Sequence, residues 1–444
     1  MAGSYLHKTP SQNPDSQTTW TISFWIKRCK LTSEQWILTA EHGDTGNTGT
    51  FVYFNATDEL IWREEVSGSD VGKLITNRKF RDTNGWYHIV LRWDTTNATA
   101  GDRMQMFING VEEGSTGGYS TDTNPSQNLA AEWATQEYQA IGVQALQGNA
   151  NNHLDAVMTH FHYTDGTAYN ASSFGSTNAA TGEWSISTAP SVNYGTAGFF
   201  ILKDAYSGTD QSSNSNNWTG AGTGGSTTVD NPSNNFATLN AMWTDSGMTF
   251  SNGNTAVQWT GNNKTCRTTI GMEKGKYYCE FKVINNVGGG IQAAIVDDTI
   301  LPSTYAHNGA GGYTYRDTTG KKYNNGTSTN YGNSYTTNNI VGIAYDADNG
   351  TLWFSKDGVW QNSATIAEIA AGTTTNAAYT NITGVKFFGA SGYAGDDLIA
   401  WNFGNGFFRG TAISSEGTNA SNIGKFEYDV PNGFTALCTK GLNE

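Results

Sequence analysis

The stretch Gly85-Trp-Tyr-His-Ile-Val-Leu-Arg-Trp93, with Arg103-Met-Gln-Met-Phe-Ile108 and the dipeptide Asn109-Gly110 that follow it, decides the fold. Tyr87, Ile89, Leu91 and Trp93 fall on one face of an extended chain, because successive side chains of a strand point to opposite sides. Asn-Gly supplies positive φ at both corners of a two-residue hairpin, so a strand is expected to turn back there. Upstream, Trp20-Thr-Ile-Ser-Phe-Trp-Ile26 puts Ile22, Phe24 and Ile26 on one face in the same way. Helical periodicity is nearly missing, its best candidates being the short segments 128–140 and 364–371. Many short strands between Gly, Asn and Asp turns predict an all-β sandwich or barrel.

The composition shifts once, sharply. Residues 204–236 read DAYSGTDQSSNSNNWTGAGTGGSTTVDNPSNNF, almost without aliphatic side chains. Such a segment buries too little area to offset its ordering entropy and is expected to be a linker. Trp218 and the DNPSNNF stretch are the two places where it would be pinned. The expected architecture is therefore two antiparallel β-sandwich (jelly-roll) domains, 1–203 and 237–444, joined by a Gly/Asn/Ser/Thr-rich linker, 204–236.

Charge and cysteine content exclude several classes. With 25 basic and 39 acidic residues the net charge is −14, and no basic run exceeds Lys321–Lys322. A protein that tracks a duplex or another polyanion needs the opposite sign or a basic stripe, so no nucleic-acid partner is expected. No apolar stretch approaches the ~18 residues needed to span a bilayer, so no membrane insertion is expected. The opening MAGSYLHKTPSQNPDSQ has no hydrophobic core of a secretory signal. Cys29, Cys266, Cys279 and Cys438 lack metal-ligand spacing and read as reduced thiols of a protein made in a cytoplasm.

Two resemblances follow from ordered sets of motifs. The strand 20–26, the Gly85-Trp-Tyr-His-Ile-Val strand with its Asn-Gly hairpin, and Ile141-Gly142 followed by Leu154-Asp155-Ala-Val157 resemble a laminin-G-like, concanavalin A-like jelly roll. Three further stretches resemble a SPRY domain. They are Gly275-Lys-Tyr-Tyr-Cys-Glu-Phe-Lys-Val283, the pair Val341-Gly-Ile-Ala-Tyr-Asp346 and Asp348-Asn-Gly-Thr-Leu-Trp-Phe-Ser-Lys-Asp-Gly358, and Trp401-Asn-Phe-Gly404 through Phe408. Cys279 stands where that family usually has Trp. The Gly/Asn-rich join and the terminal FEYDVPNGFTALCTKGL resemble tailed-phage virion proteins that string lectin-like and SPRY-like modules together. That resemblance implies a bacteriophage structural protein made in the host cytoplasm and carried on the virion, as a tail fibre or receptor-binding adhesin. Its implied partners are other virion proteins, further copies of itself and a host cell-surface glycan held without cleavage. Capsid decoration, or a head fibre, is the alternative, and a polysaccharide depolymerase a third.

Sugar recognition calls for a flat aromatic beside Asn, Asp or Gln. Residues 305–338 are dominated by Tyr, Gly, Asn, Ser and Thr, a palette that gives contact area at small entropy cost. Tyr305, Tyr313, Tyr315, Arg316, Tyr323, Tyr331 and Tyr335 are the candidate ligand-contacting residues, although Tyr313, Tyr315 and Tyr323 also resemble framework positions of a SPRY sheet. No cofactor is expected beyond the calcium ion that the laminin-G resemblance implies in loops. Glu41, Asp44, Asp94 and Asp102 are carboxylates there, and nothing selects among them. Asp346-Ala-Asp-Asn-Gly-Thr351 fails as an EF-hand, its glycine coming one place early and Asp357 standing at position twelve.

His160 and His162, with His153, lack the further ligand that a zinc or nickel site needs. No enzyme is expected. Glu427-Tyr-Asp429 is the nearest approach to a glycosidase carboxylate pair, but its third place is Pro431, and Glu59, Glu64 and Glu65 have the wrong spacing. No G-x-S-x-G elbow occurs, and Gly271-Met-Glu-Lys-Gly-Lys-Tyr277 is one residue short of a phosphate loop.

Overall fold

Thr19–Arg28 and Tyr87–Asp94 pair antiparallel, setting Trp20 opposite Trp93, Ile22 opposite Leu91 and Phe24 opposite Ile89. The two alternating faces expected from the sequence therefore lie side by side and bury together. Met104–Ile108 extends the sheet and turns at Asn109 and Gly110, with φ of 49° and 84°, into the short strand Val111–Glu112. A Cβ at Gly110 would stand 2.3 Å from the Trp184 ring, so glycine serves both the turn and the close approach. These coordinates are a computed structural model that describes residues 3–43, 47–146, 149–393 and 395–443. Within it the chain divides into two units, 1–225 and 226–444.

The first unit is a sandwich of a six-stranded and an eight-stranded antiparallel sheet. The inner face of the first, with Trp20, Phe24, Leu91 and Trp93, meets Leu38, Val52, Phe54 and Trp62 of the second. Trp20 stacks on Trp93 at 5.8 Å and tilts against Trp62 at 5.7 Å. Full burial of such side chains stabilises by roughly 1.5–3 kcal/mol each. On the outer face His88 and Val90 lie under a second layer that includes Phe174 and Trp184.

The second unit is also a sandwich. One sheet contains Lys276–Asn285, Ile340–Asp346, Thr351–Lys356 and Asp397–Asn402; the other runs Lys264–Arg267, Phe387–Gly392, Gln292–Val296, Gly312–Arg316, Lys321–Asn324, Thr327–Asn330. Phe281, Trp401 and Cys279 lie in the core between them. The turn 346–351 is the expected hairpin, with Asp346 accepting from the Asn349 backbone N–H at 3.0 Å. The fold class is thus the all-β pair of antiparallel sandwiches read from the sequence.

Three local expectations meet different outcomes. Segment 364–371 contains the helix Ile366–Ala370, closed by a reciprocal capping box between Thr365 and Glu368. Segment 128–140 holds instead a 3-10 turn, Glu132–Ala134, leading into the strand Tyr138–Ile141. All four cysteines are free and buried, Cys266 and Cys279 lying in different sheets. Among the described residues no helix is long and apolar enough to cross a membrane.

The segment 204–236 differs most from its reading as a linker. Its first part folds onto the first unit: Thr219–Ala221 pairs with Tyr5–Lys8, and Trp218 packs against Phe199 and Trp133 in the core. Asp210 accepts backbone N–H groups of Phe200, Ser212 and Asn216, while Asn214 and Asn216 donate to the carbonyl of Gly198. Order here comes from side-chain bonds to backbone, which a count of aliphatic residues misses. Residues from 226 onward belong to the second unit, where Asp230 accepts from the Phe236 N–H and Ala237 bonds to Leu437. Trp218→Ala should cost the first unit roughly 3 kcal/mol and open 204–225 to proteolysis. Limited proteinase K digestion with mass mapping, together with chymotrypsin cleavage after Tyr206, checks this; cleavage of the wild type in that stretch at the same rate contradicts it.

Candidate functional site

Gly312–Arg316 assigns the tyrosine-rich residues to two faces. Tyr313 and Tyr315 point inward, Gly312, Thr314 and Arg316 outward, as strand alternation requires. Tyr315, Tyr331 and Tyr335 are core side chains, 0%, 6% and 3% exposed. Their hydroxyls serve the backbone. Tyr315 donates to the Asn333 carbonyl, Tyr331 accepts from the Phe354 N–H, and Tyr335 accepts from the Ala293 N–H. Such rings present no face to a ligand, and Tyr305, 3% exposed with its hydroxyl on the Gly290 carbonyl, presents none either, which corrects the expectation that these four contact one. Half-buried Tyr313 lies edge-on to Tyr379 at 5.2 Å, on the inner side.

Tyr305, Arg316 and Tyr323 come together on the outer face. Arg316 is the cross-strand neighbour of Gln292, and Tyr323 pairs with Thr314. The segment after Gln292–Val296 returns over this face, tied down where the Ala306 N–H donates to Ser391 Oγ at 3.0 Å and where the Tyr305 hydroxyl donates to the Gly290 carbonyl. It ends in a short 3-10 turn, Ala306–Asn308, that lays His307 between Tyr305 (4.6 Å between ring centres) and Tyr323 (5.1 Å). The Arg316 guanidinium carbon lies 5.9 Å from the Tyr305 ring centre and 5.8 Å from that of Tyr323, within reach of a cation–π attraction. Tyr393, 45% exposed, stands 6.0 Å from Tyr305 at the rim.

Gly290 makes room for this arrangement. Its φ is +110°, and a Cβ there would lie 2.5 Å from Tyr393 and 2.9 Å from the Tyr305 hydroxyl.

The polar groups of the cluster are incompletely used. The Gln292 amide N–H donates to His307 Nδ1 at 2.8 Å, so His307 carries its proton on Nε2. Burial, and then the neighbouring Arg316 charge, hold His307 below its usual titration range, hence neutral at pH 7. Gln292 Oε1 and Arg316 Nε are buried with no hydrogen-bond partner. Leaving such a group unpaired costs about 1–3 kcal/mol. Gln292, His307 and Tyr393 went unread in the sequence; only the strand phase running out from Arg316 leads to Gln292, and nothing local leads to the other two.

Other candidates resolve into framework. Glu427 accepts from the backbone N–H of Ser414, and Asp429 from the N–H and hydroxyl of Thr418, so both cap turns. Glu64 is fully buried, accepting from the Thr50 hydroxyl and the Glu132 N–H, and burial pushes its carboxyl up to about 8. Ser23 lies 2.8 Å from His88 Nε2, but Trp184 donates to Nδ1, so Nε2 holds the proton and His88 cannot take one from Ser23. His160 and His162 both pack on Phe200 across a bulge, His160 having φ of 50°. His153 packs instead on Tyr5. Among the described residues no three His, Cys, Asp or Glu side chains gather as a metal site. Of the calcium candidates, Glu41 ends a strand, Asp94 pairs with Arg92 and Asp102 lies in a 3-10 turn. Asp44 lies outside the described residues. A cavity of about 350 Å³ near Asn234, Asn419 and Lys425 is lined by one aromatic residue, Phe236, and has the Asn419 amide committed to the Ile423 and Gly424 carbonyls.

The chain is a two-module β-sandwich protein. Residues 2–161 match the concanavalin A-like lectin/glucanases superfamily, and residues 296–378 match the SPRY domain. These two domain types suggest a carbohydrate- or protein-binding role. Similar solved structures include the SPRY domain of human HERC1, at 14% identity over 37% of this chain and 96% of that one, with a TM-score of 0.30. The heptameric SAP-like pentraxin from Limulus polyphemus is 16% identical over 38% of this chain and 72% of that one, with a TM-score of 0.29. No curated protein matches the chain.

Proposed function

We propose that this chain is a non-catalytic recognition protein of a tailed-phage virion, a tail fibre or tail-tip adhesin that holds a host-surface glycan. The reading is supported above all by the outer-face cluster of His307, Arg316, Tyr323 and Tyr393, seated on buried Tyr305, where aromatic rings surround polar groups that lack partners. That combination fits a pyranose, which has an apolar C–H face and a rim of hydroxyls. The engagement of Glu427 and Asp429 as turn caps favours holding over cleavage. Copies arrayed on a particle would multiply weak single sites, so millimolar affinity per site suffices. Association with other virion proteins and with further copies of itself belongs to the same proposal. Immunogold labelling of intact virions, with antibody against the purified chain, tests the location. Gold at the tail is the expected result. Gold over the head would replace the adhesin by a decoration protein, and unlabelled particles would end the virion reading.

A further inference from the structure

Among the described residues every arginine but one has a hydrogen-bond acceptor. Arg28 and Arg81 reach Asp58, Arg63 reaches Asp70, Arg78 reaches Glu113, Arg92 reaches Gln105, Arg103 reaches the Pro125 carbonyl, Arg267 reaches Asp298, and Arg409 reaches Asn252. Arg316 has none among the described residues; its recorded contacts are the rings of Tyr305 and Tyr323. The adjacent carboxylate does not serve it. Asp317 is fully buried and accepts instead from the Gly290 and Thr318 N–H groups and the Asn286 amide. A guanidinium is a planar fork matched to two oxygens of a carboxylate, and flanking rings narrow the directions from which a partner can approach.

We infer that Arg316 receives the carboxylate of an acidic sugar residue, with Tyr323 and His307 beside it and Gln292 at its base. This deepens the glycan-binding reading and rests on it. Neutral His307 carries an Nε2 donor, so the occupant must bring a hydroxyl or other neutral acceptor as well as an anionic one, and fully buried Gln292 fixes that tautomer from beneath. A sugar acid carries both on one ring, together with a C–H face for Tyr323. A single guanidinium takes one carboxylate rather than a polyanion track, which agrees with a chain of net charge −14. Repulsion from that charge is screened beyond roughly 8 Å at physiological salt.

The test is an array of sialosides and of neutral oligosaccharides carrying one uronate residue, each printed beside its methyl ester, probed with the full-length chain at 0.15 M salt. Carboxylated forms should bind at least tenfold better than their esters. Arg316→Gln should remove that preference and Arg316→Lys should reduce it, both with unchanged melting temperature, since lysine keeps the charge but not the fork. Equal binding of acid and ester, or of wild type and Arg316→Lys, overturns the inference and leaves the glycan reading standing. Binding to none of the saccharides, acidic or neutral, overturns both. Capture of only a free peptide C-terminus would show the carboxylate to be a protein's and overturn the sugar assignment. The acid-to-ester comparison uses wild type alone, so a variant that fails to fold does not block the answer.

Discussion

Glu280→Ala should destabilise the second unit by about 4 kcal/mol and release the C-terminal segment from the sheet it covers. Glu280 is fully buried on the outer face of Lys276–Asn285, and its two oxygens accept four donors. The Glu427 and Tyr428 N–H groups donate at 2.9 Å each, the Tyr278 hydroxyl at 2.9 Å and the Asn402 amide at 3.2 Å. Alanine would strand these donors away from water, and each costs about 1–3 kcal/mol. Phe426, Val430 and Phe434 pack beside Tyr278 and Trp353, so the loss reaches their burial too. Hydrogen exchange should show early deuteration of residues 426–436 in the variant; protection equal to wild type would contradict the assignment.

Glu280 also sets a pH dependence. Burial outweighs its four hydrogen bonds and raises its carboxyl to about 7, from an ordinary value of 4.5. Below pH 4.5 both folded and unfolded chains hold the proton, and no penalty arises. Between pH 4.5 and 7 the unfolded chain releases it while the folded chain retains it, so stability falls as pH rises and levels off above 7. The loss is on the order of 3 kcal/mol at ~1.4 kcal/mol per unit. Glu280→Gln should lie below wild type at low pH, because its NH2 faces a backbone N–H, and should lose the slope in this window. Urea titrations of the second unit's transition at pH 5, 6 and 7 check the sign.

Asp58→Ala should cost the first unit about 3–5 kcal/mol, the usual result of leaving one member of a buried ion pair alone. Asp58 and Arg28 are both unexposed and meet at 3.0 Å. Asp58 also accepts from the Thr32 N–H at 2.8 Å and from Arg81 at 3.1 Å. Burial alone would raise its carboxyl, but the Thr32 N–H and the two arginines prevail and hold it below the ordinary value. The aspartate's contribution is therefore present at neutral pH and fades as pH falls through its depressed folded pKa.

Arg28 cannot leave, since its guanidinium also bonds to the Phe80 and Lys30 carbonyls and lies over the Phe54 ring at 4.2 Å. Arg28→Met combined with Asp58→Asn removes both charges and keeps an acceptor for Thr32. Asparagine also tolerates the φ of 66° at this position. The double variant should recover most of the loss. Chemical denaturation of the two variants decides; a double variant as weak as Asp58→Ala would show that the ion pair is not what Arg28 and Asp58 contribute.

The alternation of Trp20 to Ile26 and of Tyr87 to Trp93 was legible because period-two patterning is local and both faces bury against one opposite sheet. Asn109-Gly110 was legible because its backbone geometry follows from residue type. The segment 204–236 was misread because Asp210, Asn214 and Asn216 order the chain through backbone bonds, invisible to a hydropathy count. Among the tyrosines, composition drew attention to one region without telling the inward side from the outward. Tyr315, Tyr331 and Tyr335 share the palette of a binding surface, yet each points inward to satisfy backbone groups. Arg316 faces outward by the same alternation that buries Tyr315. His307 and Tyr393 reach the cluster through tertiary structure, which no local pattern contains.

The most direct test of the proposal that this chain holds a glycan without cutting it is sedimentation of the purified chain with isolated host surface polysaccharide, followed by sizing of the recovered polymer. The account predicts co-sedimentation of wild type, weakened by Tyr323→Ala, with polymer length unchanged after prolonged incubation. A chain that stays in the supernatant, or a polymer that shortens with time, would contradict it.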